Sequence, residues 1–289
     1  MKNLLKGTAA TLLALTLAAC GSDDTPKTES GASAETGAKT ESAETNGNQM
    51  TTKEVYQKAV DASETIESLH GQITIDQNMK VVDDDSMRAK NKISLDMDVI
   101  TDPMKLHQVM KMDGGPDAAA TMEMYAQDGE LYLQTDDMEG QWMSIPADMH
   151  DEILDGLDSS NAMLELSLFQ EFDDKFTMEE KEDQYVMHFS AAGEEFSDLL
   201  KELMEQDTAE ATDGEVGDID VKKIELTVYL DKETYYTDSY DLKLDAIMDI
   251  EGYRTVVLQT VSGDVTEINE VEPFDIPEEI RTNAVSMGK

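Results

Sequence analysis

The chain has 289 residues, with 64 Asp and Glu against 22 Lys and Arg and a net charge of −42. Such acidity excludes nucleic acid, whose phosphates must be met by Lys and Arg, and a polybasic membrane-binding patch. Hydrophobic residues make up 39% of the chain, enough for one globular domain.

Lys2 and Lys6 form a short positive start, and Thr8 to Ala18 is apolar or small. Leu17-Ala18-Ala19-Cys20 then gives a small-residue exit ending in the chain's only cysteine. This is the layout of a secretory signal rather than a span, which needs roughly 20 apolar residues. Residues 1–19 read as a signal peptide whose removal takes two lysines and no acid, moving the charge from −42 to −44. Residues 20–50 read as a tether: Ser, Thr, Gly, Ala, Glu and Lys bury too little apolar surface to offset ordering entropy. As a flexible coil its ends would lie about 30 Å apart.

Residues 51–289 form one domain, with no second linker and no 20–50 residue repeat. Val55, Ala59, Ala62, Ile66 and Leu69 recur at steps of 4, 3, 4 and 3, the stripe of an amphipathic helix. Thr51 or Thr52 caps it, with Glu54 in the first turn, and Gly71 stops it. The period then changes to two. Ile73 and Ile75, then Ile93, Leu95, Met97 and Val99, alternate with polar residues, as in half-buried strands. Residues 105–112 and 121–127 are similar but less regular. Turns at Gln127–Glu130 and Met138–Gln141 lead into residues 131–135 and 142–146, an antiparallel meander.

Residues 147–157 read as a short helix, and 161–172 is helical by length but alternating by pattern. Residues 185–190 return to strand. Phe196, Leu199, Leu200 and Leu203 stripe another helix, and 207–218 is an acidic loop. Three long strands follow at 220–234, 236–252 and 253–263, the last running on through 267–271. A short helix follows Pro277.

No catalytic residue emerges. G-x-S-x-G, H-E-x-x-H and Gly-rich phosphate loops are all missing, and the four histidines are scattered singly. No metal set emerges either: zinc needs His and Cys clusters, and Asp83-Asp84-Asp85 lacks the glycine of a calcium loop and reads as a solvated hairpin tip. Nineteen methionines are unusual. Met110/Met112 and Met122/Met124 sit at strand spacing, so both members of each pair face one side. Soft thioethers can bind Cu(I), but flexible lining of a core or cavity is the simpler reading. Tyr125, Tyr132 and Trp142 recur along consecutive strands, either as cross-strand packing or as the lining of a groove.

Leu-Ala-Ala-Cys resembles the lipobox of bacterial lipoproteins, which implies a diacylglycerol on Cys20 and anchoring at the extracytoplasmic face of the cell membrane. The domain also resembles a family. Lys53-Glu54-Val55 through Lys58-Ala59 and Ala62 comes first, then Ile66-Glu67-Ser68-Leu69-His70 to Ile73 and Ile75. Tyr125, Tyr132 and Trp142 follow, and Ile276 to Ile280 closes the pattern. This order is similar to uncharacterised lipoproteins of Gram-positive bacteria with a fold like the carrier LolA and the lipid-binding lipoproteins LppX and LprG. The resemblance implies an α+β fold: a strongly curved antiparallel sheet, or half-barrel, with helices packed on its concave face around an apolar cavity. It implies no enzyme and no cofactor, but an envelope lipoprotein that binds a lipid or other hydrophobic ligand. It identifies no individual ligand-binding residue. The alternative is a scaffold with a packed centre that binds an envelope protein partner and no ligand.

Overall fold

The computed structural model describes residues 50–84, 86–115, 119–150, 164–193, 196–197, 218–250 and 252–286. Helix α1 spans Thr52–Ser63. Six strands follow: β1 Ser68–Val81, β2 Arg88–Thr101, β3 Met104–Asp113, β4 Ala119–Gln127, β5 Glu130–Thr135 and β6 Met143–Ser144. A 3-10 segment, Leu166–Lys175, leads to β7 Thr177–Glu180, β8 Gln184–Ala191, β9 Ile219–Asp231, β10 Thr237–Ile250 and β11 Tyr253–Thr266. Helix α2, Glu278–Asn283, and β12, Val285–Ser286, end the described chain.

The strands form one open, curved sheet ordered β12-β6-β5-β4-β3-β2-β1-β11-β10-β9-β8-β7. Every pairing is antiparallel except β12 with β6. The two meanders, β1–β6 and β7–β11, are joined where β1 pairs with β11 along twelve residues, His70–Val81 against Thr255–Thr266. The hairpin at Gln127–Glu130 turns through Asp128 and Gly129, both at positive φ (54° and 74°), the primed turn that matches strand twist.

α1 starts where the sequence places it. Thr51 Oγ1 accepts from Glu54 N–H, and the Glu54 carboxylate accepts from Thr51 N–H at 2.8 Å, a complete capping box. It ends earlier than the helical stripe implies. Leu69, His70 and Gly71 already pair with Val99, Asp98 and Met97, so a two-sided β ladder overrides the helical spacing. Ile66 and Leu69 are buried in the sheet's core instead. Asn269 fixes this entry: at φ 60° its Oδ1 accepts from Glu67 N–H at 2.7 Å and Ser68 N–H at 3.3 Å. The same turn ends β11 at Thr266, with Glu267 also at positive φ, so the strand does not continue through 267–271.

The ambiguous stretch resolves, for its described part, as the 3-10 segment from Leu166. A 3-10 turn, Ala147–Met149, occupies the start of the helix expected at 147–157; the remainder of that helix, most of the 194–206 helix and nearly all of the 207–218 loop lie outside the described residues.

Candidate ligand-binding face

Alternation gives the sheet one apolar and one polar face, and the apolar face has two unlike halves. Over β8–β10 it is filled. Phe169 and Phe172 of the 3-10 segment, and Phe176 just after it, meet Phe189 and Phe196, with ring centroids 5.0–6.3 Å apart. α1 closes over this cluster with Val55, Tyr56, Ala59 and Val60, and the Tyr56 hydroxyl donates to the Leu166 carbonyl. Burial of that phenol raises its pKa well above the ordinary 10.0.

Over β1–β6 the wall is aliphatic and sulfur-rich. Met110 stands directly opposite Met122, Met112 opposite Ala120, and Met124 opposite Gln108. Both members of each Met-x-Met pair therefore share one face, as strand spacing requires. Met97, Met110 and Met124 are buried, whereas Met104, Met112, Met122, Met143 and Met149 are only partly buried. Unbranched thioether chains adapt to irregular apolar surfaces in a way that rings do not. Among the described residues no group of three or more His, Cys, Asp or Glu is placed to hold a metal.

Four amides interrupt the apolar face: Gln108 on β3, 3% exposed and opposite Met124, and a row of three across β11, β1 and β2. Gln77 lies opposite Gln259 on β11 and opposite Asn91 on β2. Sequence reading missed this row, although its signal was present: each amide occupies an inward position in a strand of period two.

The polar face carries the other groups noted in the sequence. His70 and His107, which look isolated along the chain, both approach Asp98. His70 Nδ1 is 2.8 Å from Asp98 Oδ1, and His107 Nδ1 is 4.0 Å from Asp98 Oδ2. His107 Nε2 also donates to Glu123 at 3.0 Å, and its ring stacks on Tyr125 at 4.2 Å. His188 bonds Thr227 on the same face, whereas His150, buried just after the 3-10 turn and outside the strands, donates to the Ile145 carbonyl.

Tyr125 and Tyr132 are cross-strand partners, and Trp142 packs 5.6 Å from Tyr125. They do not line the apolar face. Tyr125, Tyr132 and Trp142 cluster with Ile276, Ile280 and Ala284 of the C-terminal segment. Gln127 fixes that segment by donating to Asp275 and accepting from Ile276 N–H, both at 3.1 Å. Burial raises the pKa of both tyrosines.

Two depressions open on the polar side of the sheet. One, about 450 Å³, is lined by Gln72, Thr74, Ser94, Asp96, Lys111 and Asp264 among others. The second, about 290 Å³, is lined by Asp76, Lys223, Glu225, Lys243, Asp245 and Thr260 among others. Asp84 makes a local turn by accepting from Ser86 N–H and Oγ, which lowers its pKa and makes the described part of the acidic hairpin tip an ordinary polar turn. Among the described residues no helix is long and apolar enough to cross a membrane.

Comparison with solved structures finds low-identity similarity. The lipoprotein LppX of Mycobacterium tuberculosis is 10% identical over 78% of this chain and 98% of its own, with a TM-score of 0.36. A DUF1329 family protein from Desulfovibrio piger is 10% identical over 74% and 91%, with a TM-score of 0.25. A LolA superfamily protein from Nitrosomonas europaea is 7% identical over 80% and 97%, with a TM-score of 0.23. Comparison with curated proteins finds no match. The match that spans the domain is to a family model: residues 51–285 fit DUF6612, a family of unknown function, and the chain belongs to that family.

Proposed function

We propose that this is an envelope lipoprotein that binds a lipid or other hydrophobic molecule against the apolar face of its sheet, without catalysis. Residues 1–19 are removed, Cys20 carries the diacylglycerol, and residues 20–50 tether the domain at the extracytoplasmic face of the cell membrane. The observation that carries the reading is the unequal filling of the apolar face. Aromatic rings fill the β8–β10 half, while flexible methionines, several still partly exposed, line the β1–β6 half. A wall that must fit variable hydrocarbon gains from adaptable side chains.

The scaffold reading draws on a different observation. Val82 and Met87 flank the β1–β2 tip and Tyr253 starts β11, with exposures of 41%, 44% and 52%. Val82 N–H bonds the Arg254 carbonyl at 2.8 Å, so these apolar groups share one end of the sheet. Exposed apolar groups at adjoining tips suit a protein partner.

Native mass spectrometry of the protein purified from its own membrane, without its acyl anchor, separates the two readings. A co-purifying lipid supports the ligand reading. A clean apo mass with no uptake of a fluorescent fatty acid supports the scaffold. Cys20→Ser tests the anchor independently, by releasing the protein from the membrane.

A further inference from the structure

The amide row carries an inference that rests on the hydrophobic-ligand reading and narrows it. Across β10, β11, β1 and β2 the inward residues are Leu244, Gln259, Gln77 and Asn91. Gln259 is 2% exposed and Gln77 4%. Gln77 Nε2 donates to Gln259 Oε1 at 3.2 Å. The Gln259 Nε2 and Asn91 Nδ2 donors are buried and have no acceptor among the described residues. A buried donor left unmatched forfeits its hydration without return. Leucine would suit either site, since the neighbouring inward positions are Ile75, Ile93, Val257 and Val261. Two such donors in one row point to an acceptor from outside the chain.

The surroundings specify what kind. Among the described residues, the inward positions of β1, β2, β3 and β11, and of β10 from Tyr240 onward, carry no Asp, Glu, Lys, Arg or His; the half-buried Asp238 sits at the bulge six residues along β10 from Leu244. A carboxylate or phosphate placed here would be a buried charge without a counter-charge, which is strongly disfavoured. A neutral carbonyl oxygen meets neutral N–H donors without that penalty. The Met-lined wall begins beside the row: Met112 pairs with Ile93, two residues along β2 from Asn91. A polar band of donors therefore adjoins adaptable apolar wall, the arrangement that an acyl ester requires at its carbonyl and chain respectively.

We propose that Gln259 and Asn91 donate to carbonyl oxygens of an uncharged acyl ester, whose hydrocarbon lies along the methionines of β2–β4. The site thus selects neutral acyl lipid over free fatty acid.

The test uses the mature chain and dioctanoylglycerol labelled with ¹³C at its ester carbonyls. Isotope-edited infrared spectra of the bound ester should show a band lowered by hydrogen bonding, and octanoate should bind more weakly. Gln259→Met keeps length and removes the donor. It should abolish part of the lowered band and weaken ester uptake about tenfold, the loss of roughly one well-made hydrogen bond, while leaving hydrocarbon uptake measurable. An unshifted band in the unmodified protein, or octanoate bound as tightly as the ester, overturns the proposal even if every variant misfolds. An unchanged band in a folded Gln259→Met/Asn91→Leu chain also overturns it, leaving the donors to bound water and the ligand reading intact. Failure of the unmodified chain to take up any acyl probe overturns the ligand reading itself, and this proposal with it.

Discussion

Tyr240 lies directly opposite Gly263 on the β10–β11 ladder, and its ring occupies the space that a β-carbon at 263 would take. The glycine is thus required by packing rather than by backbone freedom, and the ring covers backbone that glycine leaves bare. The same burial raises the Tyr240 pKa far above the ordinary 10.0. Gly263→Ala is predicted to force this buried ring aside, at about 1–3 kcal/mol as for other overpacked cores. Urea unfolding with an unchanged slope would measure it. A midpoint equal to that of the parent chain would show that the ring moves freely.

Tyr56 links α1 to the 3-10 segment in two ways: its ring packs 5.1 Å from Phe176, and its hydroxyl bonds the Leu166 carbonyl. Tyr56→Phe keeps the ring and leaves a buried carbonyl without its donor. The expected loss is about 1–3 kcal/mol, read as a lower thermal midpoint with unchanged far-ultraviolet circular dichroism. No loss would mean that the carbonyl finds another donor.

Asp238 is held above the ordinary 3.8 by burial, against the opposing bond from Gln184 Nε2 at 2.9 Å; nearby Asp231 adds to the rise. A carboxyl whose folded pKa is raised binds its proton more tightly when folded. Its ionised form therefore opposes folding fully above that pKa, and the opposition fades as pH falls from the folded pKa toward 3.8 and is gone below it. Asp238→Asn keeps an acceptor for Gln184 and should raise the urea midpoint at pH 7, with the gain shrinking toward pH 3. A gain that grows on acidification would reverse the assignment.

How much of this was legible in the sequence depends on how local the cause was. The Thr51/Glu54 cap and the Asp128-Gly129 turn are settled within four residues, and both appear as read. Strand alternation predicted correctly that Met110, Met112, Met122 and Met124 would share a face. Leu69 misled because its spacing from Ile66 suits a helix, and only pairing with Val99 and the distant β11 commits this segment to the sheet. Tyr125, Tyr132 and Trp142 were visible as a set, but their cover arrives from Ile276 and Ile280, about 150 residues later in the chain. The Gln77–Gln259 pair joins residues 182 apart in sequence. No short-range pattern announces that contact, although the inward position of each glutamine was readable on its own strand.

The claim on which the account stands is that hydrocarbon contacts the methionine half of the apolar face. Nuclear magnetic resonance of the mature chain, with ¹³C at its methionine methyl groups and titrated with dioctanoylglycerol, tests this most directly. Saturable shifts are expected at Met112 and Met122, with Met187 in the ring-filled half and Met87 at the hairpin tip unmoved. Shifts confined to Met87, or none at saturating ester, would contradict it.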